Sequence, residues 1–127
     1  MTALFHAHSG IRYLVLAAGL LALLYFLIGT LRGKPFASPG PAILATFTGL
    51  VDLQVTLGLL LYATGGRAAG IVGHLALMLL AMVAIHATSI VRKRRSQPTG
   101  YGLPLAGVVV VAALIVLGIL SIGRGVV

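Results

Sequence analysis

The chain has 127 residues, 60% of them hydrophobic and only 8% charged, with no Cys and no Trp. A soluble domain averages about 25% charged residues, so a soluble fold would lack the polar surface to cover itself, and the composition reads as an integral membrane protein. Nine Lys and Arg stand against a single acid, Asp52, for a formal net charge of +8. These charges sit at the ends of apolar segments, a mark of membrane topology and not of a nucleic-acid-binding stripe. The absence of cysteine excludes disulfides, iron–sulfur clusters and thiol chemistry.

Four apolar segments follow one another, each near the roughly 20 residues a helix needs to cross a hydrocarbon core of about 30 Å. The first runs from about Ser9 to Leu31. It is long enough to span and lacks a basic N-terminal region, so it reads as a retained helix and not a signal peptide. Ahead of it lies FHAHSGIRY (Phe5–Tyr13), which places His6 and His8 just before the helix, Ser9 at its cap and Arg12 one turn inside.

The second segment runs from about Pro41 to Thr64 and follows a break with two prolines, GKPFASPG. It holds the only acid. Thr48, Asp52 and Thr56 recur every fourth residue as a polar ridge, with Gln54 off to the side. Asp52 lies about 16 Å past Pro41 at about 1.5 Å per residue, near mid-bilayer. A carboxylate there must be paired, hydrated or protonated. It reads either as a neutral hydrogen-bonding group between helices or as a functional one that carries a proton, binds a cation or orients a histidine.

The third segment runs from about Ile71 to Val91 and ends in Arg92, Lys93, Arg94 and Arg95. Within it His74, Met78, Met82 and His86 recur every fourth residue. Each step turns about 40° beyond a full turn, so His74 and His86 differ by about 120° and cannot both point into one narrow pocket. His86 lies deeper along the hairpin, where a contact with Asp52 on the neighbouring helix is expected. The fourth segment runs from about Pro104 to Ile122.

Breaks this short make consecutive helices antiparallel neighbours, so the chain is expected to form one four-helix, up-down-up-down bundle. Loops one and three carry Arg32, Lys34 and Arg92 to Arg95, whereas the opposite side carries Arg12, Arg67 and Arg124. Positive residues stay in the cytoplasm, which places both termini outside, in the periplasm if the membrane is a bacterial inner membrane.

His6, His8 and His74 then share one level at the outer face. Histidines on two helices at one depth are what a bis-histidine haem b requires, with Arg12 and Arg67 available to its propionates. The bland alternative makes His6 and His8 interfacial polar residues and His74 a helix-end marker. Met78 and Met82 with the histidines offer soft donors suited to copper, although methionines one turn apart also fill core gaps.

HxHSGxRYLVL (His6–Leu16), LGLLLY (Leu57–Tyr62) and GHxxxMxxAxxxxH (Gly73–His86), followed by basic residues, resemble a family of small bacterial four-helix membrane proteins labelled "cytochrome b"-like. The matching positions are His6, His8, Arg12, Tyr13, His74, Met78 and His86. The chain departs from the family's pattern at Asp52, where relatives carry a histidine, and at Gly73, where they often carry an acid. The resemblance implies b-type haem and respiratory electron transfer. The expected ligands are His8 and His74, with His86 as second choice. Two other readings stand beside it: a non-catalytic accessory subunit of a larger membrane complex or homodimer, and a small proton or copper transporter using Asp52, His86 and the methionines. Hydrolytic and group-transfer enzymes are not expected, since the chain shows no nucleophile motif, carboxylate pair or phosphate loop.

Overall fold

The computed structural model describes residues 2–96 and 99–126. Those residues form four α-helices and no strand: α1 (Thr2–Leu31), α2 (Gly40–Ala63), α3 (Ile71–Arg94) and α4 (Gly102–Ser121). All four are long and apolar enough to cross a membrane.

Helix α1 starts seven residues earlier than expected, which places His6 and His8 inside the helix. Ser9 is likewise interior and caps nothing. The expected start came from the length of a bilayer core, but nothing in TALFHAH breaks a helix, and 30 residues reach about 45 Å, past the hydrocarbon into the head-group layer. Helix α3 similarly continues through Arg92, Lys93 and Arg94, whose charges favour the negative end of the helix dipole. Helix α4 begins two residues before Pro104.

Neighbouring helices pack in a ring, α1 on α2, α2 on α3, α3 on α4 and α4 on α1. Helices α1 and α3 therefore lie on one diagonal. The core along the axis is built from Val15, Ala22, Phe26, Leu44, Phe47, Val51, Ala81, Ile85, Val108 and Val111. Large apolar side chains also cover the outside: Leu21 is 67% exposed, Val83 61%, Leu14 and Leu20 58% and Leu117 54%. In water such a surface would be a severe liability, whereas in lipid it is the expected one.

The two ends of the bundle differ. At the end formed by the α1–α2 and α3–α4 loops, Phe36 and Tyr101 drop onto Phe26, with ring centroids 5.0–5.7 Å apart. The Phe36 amide donates to the Thr99 carbonyl, tying the two loops together, and the Tyr101 hydroxyl donates to the Ala37 carbonyl at 3.3 Å. The Arg92 guanidinium lies 4.9 Å above the Phe36 ring. This end is plugged. At the other end, where α1 begins and α4 stops, the helices stand apart around a cavity.

Candidate functional site: a cavity between two histidines

The cavity measures about 540 Å³ and is walled by all four helices. That is within the usual range of about 300–1,000 Å³ for small-molecule and cofactor sites. Its polar groups include His8, Arg12, Gln54, His74, Arg67 and Arg124.

His8 on α1 and His74 on α3 meet across the diagonal, ring centroids 6.4 Å apart and planes at 83°. His74 is 7% exposed, and its Nδ1 donates to the Gly118 carbonyl at 2.7 Å. For the neutral ring that bond puts the proton on Nδ1 and leaves a lone pair on Nε2, the arrangement that orients ligating histidines. Gly118 has to be small there, because a Cβ would run into the Met78 methyl and stand 3.6 Å from His74 Nδ1.

His8 is held from α2. The Gln54 side-chain amide donates to the His8 carbonyl at 3.0 Å and stands 3.5 Å from His8 Nε2. Gly58, one turn further along α2, lets the ring lie flush, since a Cβ at that position would be 3.0 Å from His8 Cε1. Three buried polar atoms on this cavity have no partner: His8 Nδ1, Arg12 Nε and Gln54 Oε1. Leaving such atoms unpaired costs about 1–3 kcal/mol each, a cost that water or a polar ligand in the cavity would relieve.

Three arginines rim the mouth, each lying on an aromatic ring: Arg12 on Tyr13 at 4.7 Å, Arg67 on Tyr62 at 4.2 Å and Arg124 on Phe5 at 5.1 Å. Arg12 also donates to the Tyr13 hydroxyl at 2.7 Å, and Arg67 to the Tyr62 carbonyl at 3.1 Å. No acidic side chain is available to them. The chain's single acid, Asp52, is engaged elsewhere.

The expected ridge on α3 is present and drifts from core to surface. His74 and Met78 are buried, Met82 is partly buried and His86 is exposed. Met78 lines the cavity and Met82 does not. His86 Nε2 instead donates to both Asp52 oxygens, at 2.9 and 3.0 Å, which realises the expected contact between α2 and α3. His6 is exposed, makes an edge contact with the Phe5 ring at 5.8 Å and does not line the cavity. Among the described residues no three His, Cys, Asp or Glu converge as a ready-made metal site.

Gln54 and Arg124 are the cavity residues that sequence reasoning passes over. Gln54 is two residues, about 200° of helix, from Asp52, so only one of the two can face the core. Arg124 enters a sequence reading only as a topology charge. The chain matches no protein-family model, no curated protein and no solved structure.

Proposed function

We propose that the protein is a multi-pass membrane electron-transfer protein, or a haem-supporting subunit, whose cavity holds b-type haem between His8 and His74. Insertion in a bilayer is supported by four spanning-length helices with apolar outer surfaces, and the loop charges favour both termini outside, as in a bacterial inner membrane. The observation that carries the haem reading is the diagonal pair of imidazoles on one cavity, with His74 tautomerically fixed by Gly118. Two imidazoles would suffice for haem, whose macrocycle supplies nitrogens of its own, whereas among the described residues no third His, Cys, Asp or Glu joins them to hold a bare ion. The donor set fits: two imidazoles on one cavity, apolar walls, and rim arginines with no acidic side chain of their own that could receive two propionates.

Bound haem would supply one-electron redox chemistry. The chain supplies the rest. His74 and His8 would ligate it, Gly118 and Gln54 hold those rings in place, Arg12, Arg67 and Arg124 would neutralise its carboxylates, and Val15, Val51, Val55, Ile115 and Ile119 would exclude water.

The test is a dithionite-reduced minus oxidised spectrum of protein purified from native membranes. A b-type α-band in the wild type, lost in His8→Ala and in His74→Ala and retained in His86→Ala, is the expected result. A wild-type protein folded as a helical bundle but lacking any Soret absorbance sinks the reading.

A further inference from the structure

The cavity leaves the Asp52–His86 pair unexplained. It lies outside the core, with His86 50% and Asp52 38% exposed at the side chain, midway along the 24-residue α2. In a bilayer this depth is hydrocarbon, and ionisable groups there almost always face protein or a water-filled cavity. The monomer instead turns its only acid towards lipid.

The surroundings are unusual for a lipid face. Ala45, Gly49, Asp52 and Thr56 lie within about 60° of one another on α2. Ala45, Gly49 and Thr56 are exposed. Around Gly49 there is open space, with no atom within 4 Å of where a Cβ would stand. The large side chains on the rest of the outer surface are mainly leucine, isoleucine and valine, and glycines with equally open space lie there at Gly10 and Gly73. Small residues flanking a polar group are how helices approach closely in membranes.

We infer that a second copy of this chain docks on the α2–α3 face, with the Asp52–His86 pair at the centre of a two-fold interface. The charge pattern selects this occupant. A two-fold axis along the membrane normal reverses every direction in the membrane plane. The direction from Asp52 on α2 to His86 on α3 is therefore opposite in the two copies. Each carboxylate faces the imidazole of the other copy, and the four groups close into one network shielded from lipid. The stripe of Ala45, Gly49 and Thr56 sets the approach distance. This inference rests on the membrane reading and is independent of the haem.

The absence of cysteine makes the test direct, since a single introduced thiol can form a disulfide only between chains. Gly49→Cys in the full chain is oxidised in native membranes with copper–phenanthroline and run on a non-reducing gel. Leu20→Cys on α1 and Leu117→Cys on α4, 58% and 54% exposed, are the controls. The expected result is several-fold more covalent dimer for Gly49→Cys than for either control, falling to the control level when Asp52→Leu is added. Equal yields at all three positions overturn the inference, as does a Gly49→Cys yield indifferent to Asp52→Leu. The spectrum of the same Gly49→Cys protein is expected to match wild type, so a failure here is separable from a failure of the haem reading.

Discussion

Gln54 does more for the site than its unremarkable place in the sequence suggests. It is the buried polar link from α2 to His8, and replacing it with Leu keeps the volume while removing the donor to the His8 carbonyl. The expected cost is about 1 kcal/mol in stability, the net worth of one intramolecular hydrogen bond, seen as a small fall in melting temperature. The larger effect falls on His8, whose ring is no longer held from α2, so cofactor occupancy is expected to drop further than stability does. Gly118→Val works from the other side. It drives the Met78 methyl and the His74 ring outward, with overpacking expected to cost about 1–3 kcal/mol and the spectroscopic signature to be lost. Residues of this kind are hard to read from one sequence. Lipid-facing and core-facing positions are equally apolar, so hydropathy does not say which side of α2 turns inward. Asp52 announces itself by its charge, yet Gln54 on the opposite side of the helix holds the interior position.

At the scale of the elements, α2 and α3 behave much as their periodicity dictates. The 40° drift per step along His74, Met78, Met82 and His86 separates the two histidines into different environments, which follows from helix geometry alone, whereas the Asp52–His86 contact also needs the antiparallel packing of α2 on α3. The start of α1 does not, because a hydrophobic-length criterion locates the bilayer and not the helix end. That extra length is consequential, since it carries His8 onto a rigid helix instead of a loop. The strength of the α2–α3 tie is measurable by a double-mutant cycle on Asp52→Asn and His86→Ala in detergent. The coupling is expected near the average for polar contacts between membrane helices, about 0.6 kcal/mol and no more than about 2 kcal/mol.

For the molecule as a whole, the proposed orientation rests on loop charge and is open to direct measurement. With Arg92 to Arg95 held on the cytoplasmic side, alkaline phosphatase fused after Val127 is expected to be active and a fluorescent protein at the same point dark. Replacing the four basic residues with Ser and Gln is expected to produce a mixed population. The plug has its own prediction. Tyr101→Ala removes a side chain that is 4% exposed and stacks on Phe26 and Phe36, at an expected cost of about 3–5 kcal/mol in unfolding experiments.

That plug also fixes a direction. Because Phe26, Phe36 and Tyr101 fill one end of the bundle while the other end opens between His8 and His74, the molecule is a cup and not a conduit. Any water-soluble reagent must reach the cavity past Arg12, Arg67 and Arg124, so the two sides of the membrane are chemically inequivalent to it. An impermeant anionic reductant is therefore expected to act quickly on vesicles that display the arginine rim and slowly on inverted ones. Under the proposed function, such one-sided access would confine electron exchange to partners on a single face of the membrane.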